Sequence, residues 1–126
     1  MSFIQANPNP HNKLIGDCVI RAISIAENRS WDDVYLDLMA KGFMMKDMIE
    51  SNELWNAYLH SLGYTRHIIP DTCPDCYTVR DFTEDYPEGT YILGTGSHAV
   101  AVVNGNHLDT YDSGSKVPIF YWKKER

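Results

Sequence analysis

The first half of the chain carries apolar residues every three or four positions, which is the period of an amphipathic helix. An aspartate or a serine, both good N-cap residues, stands before each of three such segments, and an asparagine or a glycine follows each one. The pattern therefore predicts three helices, at residues 18–28, 31–41 and 52–62. The apolar residues between the second and third helices are predicted to be a connector that fills the core: Phe43, Met44, Met45 and Met48.

The second half changes to alternating apolar and polar positions, which indicates strands. Strands are predicted at residues 64–69, 91–94, 98–103, 107–111 and 117–122, with a hairpin turn at Asn104-Gly105. Thr78 and Asp81 predict a short capped helix, and the two prolines within residues 1–15 predict an extended arm or turns. The pattern predicts an α+β fold in a single domain, residues 1–126. Its helical N-terminal half is expected to pack on an antiparallel β-sheet formed by the C-terminal half.

Composition and charge narrow the class of protein. The 126 residues are enough to bury a core without support from a metal or a disulfide. The net charge is −6 and the eleven Lys and Arg residues are scattered, so the chain lacks the basic stripe of a nucleic-acid-binding protein. No segment approaches the ~18 consecutive apolar residues of a membrane span, and the N-terminus does not resemble a signal peptide. With an odd number of cysteines, three, these features predict a cytoplasmic protein that binds neither nucleic acid nor a membrane.

Cys18 is the first candidate for chemistry, because it would be the first residue of a helix. Unpaired backbone N–H groups and the positive end of the helix dipole favour the thiolate there, and the thiolate is the nucleophilic form of cysteine. A buried structural cysteine is the alternative interpretation. A partner that holds the thiol proton would distinguish the two.

His98 and a nearby aspartate offer such a partner. A nucleophilic thiol needs a base and a third group that orients the base. If the hairpin turn has three residues, His98 lies opposite Asp112 with both side chains on one face, whereas a two-residue turn leaves Asp109 on the His98 side. Asn106 can adopt the left-handed conformation that the longer loop requires, so we expect the three-residue loop. The predicted site is then Cys18, His98 and Asp112, with Asp109 as the alternative orienting residue.

The order Cys, His, Asp resembles that of the papain-like cysteine peptidase superfamily, in which the Cys opens the first helix and the His begins a strand. The segment Ser97 to Val103 is similar to the histidine strand of papain. Asp17-Cys18 followed by Ala22 resembles the compact leader-peptide peptidases of bacteriocin exporters. The segment Leu108 to Ser113 is similar to the region of ubiquitin-like-protein proteases in which an Asp orients the His.

The resemblance covers residues 12–26 and 91–122 and implies a papain-like fold. It also implies a cysteine hydrolase, either a peptidase, an isopeptidase or an amidase, that works through a thioester acyl-enzyme without a cofactor or a metal. These families carry a Gln six residues before the Cys, whose amide helps the Cys backbone N–H to stabilise the oxyanion, and here that position is Asn12. Because the chain is short, the implied partner is a short peptide or a narrow protein segment.

Two other function classes stay open. The first is a catalytically silent binding or inhibitory module of papain-like fold, encoded for example by a phage or a mobile element and directed at a host protein. The Gln-to-Asn difference and the small size favour it. The second is a redox protein that uses Cys73 and Cys76, although nearby prolines place this pair in a loop. A metal site there would need His60 and His67 as well, and ordinary turn cysteines are the remaining interpretation.

Overall fold

The computed structural model describes residues 2–125. Over these residues the chain has a mixed α+β fold of four helices and a six-stranded sheet. The helices are α1 (Cys18–Glu27), α2 (Trp31–Met45), α3 (Asn52–Ser61) and α4 (Val79–Asp85). The strands are β1 (Phe3–Gln5), β2 (Tyr64–Ile68), β3 (Thr90–Gly94), β4 (Ala99–Val103), β5 (Asn106–Asp109) and β6 (Phe120–Lys124). None of the helices within this range is long and apolar enough to cross a membrane.

The strands form one sheet in the order β1-β5-β4-β3-β6-β2. The described neighbours are antiparallel except β1 and β5, which run parallel with Phe3 beside His107. The expectation of an antiparallel sheet formed by the C-terminal half alone is therefore wrong. The N-terminal arm is extended, as expected, and it pairs with β5 because a strand edge exposes N–H and C=O groups that need partners.

Helices cover both faces of the sheet. The helices α1, α2 and α3 bury their apolar sides against one face, and α4 packs on the other. The buried strand residues on the first face are Tyr64, Ile92, Ala99, Ala101, Phe120 and Trp122. Those on the second face are Tyr91, Leu93, Val100 and Val102. Successive residues of β3 and β4 thus face opposite cores, and both strands are buried almost throughout.

Helix α2 is longer than the sequence pattern predicts. We expected it to stop before Gly42, but it continues to Met45. The left-handed residue that ends the helix is Lys46, with φ 55°, and not Gly42. Gly42 is a buried helical residue at which a Cβ would collide with the backbone of Asp47. Phe43, Met44 and Met45 are therefore helical, and Met48 follows the helix. All four side chains are exposed, so the expectation that they fill the core is wrong.

The β4–β5 hairpin has a two-residue turn, Asn104-Gly105, in which Val103 pairs with Asn106. Both turn residues have positive φ, 50° and 79°, as in the type I′ turn that matches the twist of paired strands. The Asn104 side chain also accepts a hydrogen bond from the N–H of Gly89 at 3.1 Å, which holds the turn against the segment before β3. The expected three-residue loop is therefore wrong, and Asn106 is the first residue of β5.

Candidate active site

Cys18 is the first residue of α1, as the sequence predicts, and it is partly exposed. Asp17 occupies the N-cap position, but its side chain makes no capping hydrogen bond. Its carboxylate instead accepts hydrogen bonds from Arg21 and from the indole of Trp31, the latter at 2.9 Å. The first-turn N–H groups are thus not capped by Asp17, and their partial positive charge favours the thiolate of Cys18.

His98 lies directly before β4, at the end of the loop from β3. The backbone N–H of Thr95 donates to the carbonyl oxygen of His98 at 2.9 Å, which closes this loop and positions the histidine. Because α1 packs against β4, the Cys18 thiol and the His98 imidazole line the same cleft and lie close enough to shift each other's pKa. The fold therefore joins two residues that are eighty positions apart in the sequence.

The Cys18 thiol and the His98 imidazole shift each other's pKa. Burial raises the pKa of Cys18, but hydrogen bonds with His98 and with the backbone N–H of Ala99 outweigh burial and lower that pKa. Burial lowers the pKa of His98, but its hydrogen bonds with Asp109 and Cys18 raise it to about 9. Both shifts favour a thiolate beside an imidazolium at neutral pH.

Asp109 is the carboxylate that holds His98. Its Oδ2 lies 2.7 Å from Nε2 of His98, so Nδ1 is the ring nitrogen that remains for Cys18. Asp109 also accepts hydrogen bonds from the Ser113 hydroxyl at 2.8 Å and from the backbone N–H of Thr110 at 2.8 Å. Burial raises the pKa of Asp109, but these hydrogen bonds together lower it. The carboxylate is therefore ionised at neutral pH.

The structure does not bring Asp112 to His98. With the two-residue turn, Asp109 takes the position on the His98 side and Asp112 lies beyond the end of β5. The exposed carboxylate of Asp112 instead binds Nε2 of His107 at 2.7 Å and the backbone N–H of Gly114 at 2.9 Å. The expected pairing of His98 with Asp112 is therefore wrong, and the alternative residue, Asp109, makes the contact.

Arg21 also belongs to the site, although no sequence motif predicts it. It is 5% exposed and pairs with both Asp17 and Asp109, the latter at 3.1 Å. The guanidinium offsets the negative charge of two buried carboxylates, and its pairing with Asp109 links α1 to the end of β5. The one available signal was a basic residue in the middle of an apolar helical segment, since a buried charge of this kind requires a partner.

Cys18 and His98 line a cleft of about 220 Å³. The cleft is also lined by Asn52, the first residue of α3. Oδ1 of Asn52 accepts a hydrogen bond from the indole of Trp55 at 3.0 Å. Since an indole N–H can only donate, this contact directs the amide NH₂ of Asn52 away from Trp55 and leaves it available as a donor.

The structure places Asn12, the expected oxyanion residue, on the exposed N-terminal arm. Its backbone is left-handed, with φ 54°, and its amide oxygen accepts a hydrogen bond from Asn7 at 3.3 Å. The described residues that line the Cys18 cleft include Asn52 and not Asn12. The local turn therefore uses the Asn12 amide, and an asparagine from a distant part of the chain faces the cleft.

Cys73 and Cys76 are joined by a disulfide in the loop between β2 and α4. Neither cysteine lines the Cys18 cleft. Within the part of the chain that the structure describes, no three His, Cys, Asp or Glu side chains are grouped to hold a metal ion.

Comparison of the chain with protein-family models, with curated protein sequences and with solved structures found no match. The chemistry of the site is therefore inferred from the contacts of its own residues.

Asp109→Asn is expected to slow the alkylation of Cys18, whereas Asp112→Asn is not. A neutral amide stabilises the His98 imidazolium less than a carboxylate does, so the pKa of His98 should fall and the pKa of Cys18 should rise. The thiolate fraction at about pH 6 should then drop about tenfold. The measurement is the rate of iodoacetamide labelling, read by mass spectrometry of the peptide that contains Cys18.

Circular dichroism is needed to show that both variants are folded, since Asp109 also pairs with the buried Arg21. Ser113→Ala is the matched control, because it removes one hydrogen bond to Asp109 and keeps the carboxylate. It should preserve most of the reactivity. Loss of reactivity in Asp112→Asn without loss in Asp109→Asn would assign the orienting role to Asp112.

Proposed function

We propose that this chain is a cysteine hydrolase that cleaves a peptide, isopeptide or amide bond through a thioester acyl-enzyme. The observation that carries the proposal is the row of contacts from the Cys18 thiol through the His98 imidazole to the buried Asp109 carboxylate. A nucleophile, a base within hydrogen-bonding reach and a group that orients the base are the parts that this catalysis requires. The pKa of Cys18 is lowered and that of His98 is raised, and both shifts favour the thiolate beside the imidazolium.

Each of the three residues has one role in the reaction. The Cys18 thiolate attacks the carbonyl carbon of the substrate, which forms a C–S bond and a tetrahedral oxyanion. The His98 imidazolium then donates its proton to the leaving amine, the C–N bond breaks, and a thioester remains on Cys18. The neutral imidazole next takes a proton from water, whose oxygen attacks the thioester and releases the acid and the thiolate. Throughout, Asp109 holds the ring by Nε2.

Two donors of the cleft would stabilise the oxyanion. The backbone N–H of Cys18 lies at the start of α1, where the helix dipole adds positive charge. Asn52 lines the same cleft, and the indole of Trp55 holds its Oδ1 and leaves its NH₂ group free to donate. Donors that are already oriented cost no reorganisation when the oxyanion forms. We therefore assign to Asn52 the role that the sequence suggested for Asn12.

A papain-like fold is part of the same proposal. The helical first half starts its first helix with the cysteine, and the histidine precedes a strand of the β-rich second half. The packing of α1 on β4 supports this, because it brings the two residues to one cleft. The parallel strand β1 at the edge of the sheet is an addition that the resemblance did not imply.

A binding or inhibitory module is the second candidate function. It is favoured by the apolar surface at the end of α2, where Phe43, Met44 and Met48 are 72%, 77% and 66% exposed. Contiguous exposed apolar surface commonly marks an interaction site. Such a module would keep the contact between Cys18 and His98 without forming an acyl-enzyme, so acylation distinguishes the two functions.

p-Nitrophenyl acetate is expected to acetylate Cys18 and to release a burst of p-nitrophenolate before slower turnover. The burst is measured by stopped-flow absorbance, and the acetyl group is located by peptide mass spectrometry. Cys18→Ala should abolish the burst and the acetylation. An unmodified Cys18 in the folded wild-type chain would contradict the hydrolase and support the binding module.

Asn52→Ala should slow the acylation of Cys18 about 100-fold or more, because loss of an oxyanion donor usually costs that much. Asn12→Ala is the matched control, since it removes an amide of the same kind from an exposed turn outside the cleft. The rate of the burst phase is the measurement. A slow burst in Asn12→Ala with a normal burst in Asn52→Ala would return the role to Asn12.

The pH profile for an amide substrate should be bell-shaped. Activity should already rise below the pH range of an ordinary thiol, because the pKa of Cys18 is lowered. It should fall as the pH passes about 9, because His98, whose pKa is raised to about 9, then lacks the proton for the leaving amine. The alkaline fall should be absent with p-nitrophenyl acetate, whose leaving group needs no proton. A fall near the ordinary pKa of histidine would show that Asp109 does not raise it.

A further inference from the structure

A second groove, of about 560 Å³, adjoins the Cys18 cleft where α2 turns into α3. Most of its lining is apolar: Tyr35, Met39, Phe43, Met48 and Ile49. We call it the apolar groove. The side chains of Phe43 and Met48 are 72% and 66% exposed, so burying them against another chain would remove a large apolar area from water. The groove therefore offers a surface for an apolar ligand.

Glu50 lines both the apolar groove and the Cys18 cleft. Its side chain is exposed, and among residues 2–125 its carboxylate has no hydrogen bond or ion pair. The other charged residues of the groove are engaged. Asp47 accepts a hydroxyl hydrogen bond at 2.9 Å, and the Lys46 ammonium lies 4.0 Å from the centre of the Phe43 ring. An unpaired negative charge thus stands at the junction of the two grooves.

We propose that the two grooves bind one extended peptide segment of the substrate. A large apolar side chain occupies the apolar groove, a Lys or Arg side chain lies beside Glu50, and the scissile bond lies at Cys18. This inference rests on the proposed hydrolase function, because it names the substrate class of that site. A chain that runs from the apolar groove to Cys18 passes Glu50, where a cation would offset the carboxylate charge. A purely aliphatic ligand would fill the apolar groove but would leave that charge unpaired.

The interaction between the cation and Glu50 should be stronger than an ordinary surface ion pair. A peptide in the groove displaces water from around the carboxylate, and the attraction between charges grows as the local dielectric constant falls. The apolar side chain adds affinity, and the basic residue adds selection, because a glutamate in the same place would be repelled. The site should therefore discriminate between peptides of equal size by charge.

The test uses peptide chloromethyl ketones, which alkylate Cys18 irreversibly. The probes are acetyl-Leu-Lys-Gly chloromethyl ketone and its Gln and Glu counterparts, with versions that move the Lys one residue nearer to or farther from the ketone. The rate of Cys18 modification is followed by intact mass. We expect the best Lys probe to react about three- to tenfold faster than its Gln counterpart, and the Glu probe to react most slowly.

Glu50→Gln should make the Lys and Gln probes equally fast. Glu53→Gln is the matched control, because this exposed glutamate in the first turn of α3 lines neither groove. Phe43→Ser should reduce the rate advantage of the acetyl-Leu-Lys-Gly probe over a further probe that has Ala in place of Leu. Met44→Ser, at a similarly exposed neighbour that does not line the apolar groove, should preserve that advantage.

Iodoacetamide labelling of the same variants separates this inference from the proposed function. If Cys18 is reactive below the usual thiol range but no Lys position gives a preference, the peptide inference is overturned and the hydrolase proposal is not. If Cys18 proves unreactive, binding of acetyl-Leu-Lys-Gly amide to the Cys18→Ala chain is measured by calorimetry. Binding that depends on Glu50 supports the peptide site, and absence of binding overturns it.

Discussion

The buried carboxylate of Asp109 is the group on which the rest of the site depends. A buried charge is costly unless it is paired and hydrogen-bonded, and Asp109 has His98, Ser113, Arg21 and the backbone N–H of Thr110 as partners. These partners come from α1, from the loop before β4 and from the segment after β5. Satisfying one carboxylate therefore sets the relative positions of three parts of the chain.

The same carboxylate links the fold to the chemistry. An ionised Asp109 holds His98 as a cation, and that cation in turn favours the thiolate of Cys18, so charges of alternating sign follow one another toward the cleft. The residues that carry these charges stand at the ends of α1, β4 and β5, which pack together in the core. The β3–β4 loop and the start of α3 line the cleft. Cys18 and Asp109 thus belong to a helix and a strand, whereas His98 belongs to a loop that lines the cleft.

Local signals in the sequence were enough to predict most of the helices and strands. They also predicted that Cys18 and His98 lie together, but not which aspartate contacts His98. The Ser30 cap of α2 and the capping box of Thr78 and Asp81 are present as predicted, because each depends on neighbours within one turn. Helix α1 also begins at Cys18 as predicted, although the Asp17 side chain does not cap it. Cys18 and His98 could be paired in advance because the thiol at a helix start and the histidine before a strand are local features. Their meeting in one cleft needs only the packing of a helix on a sheet.

Local signals could not determine contacts between distant parts of the chain. A difference of one residue in the hairpin turn decides whether Asp109 or Asp112 faces His98, since side chains alternate along a strand, and the hydrogen bond between Asn104 and Gly89 belongs to the folded state. The pairing of β1 with β5, the helical packing of Gly42 and the arrival of Asn52 at the cleft likewise depend on neighbours far away in the sequence. The sequence by itself therefore determined most of the elements and the candidate pair of Cys18 and His98. Only the tertiary structure decided which carboxylate and which amide surround them, because burial and register are properties of the assembled chain.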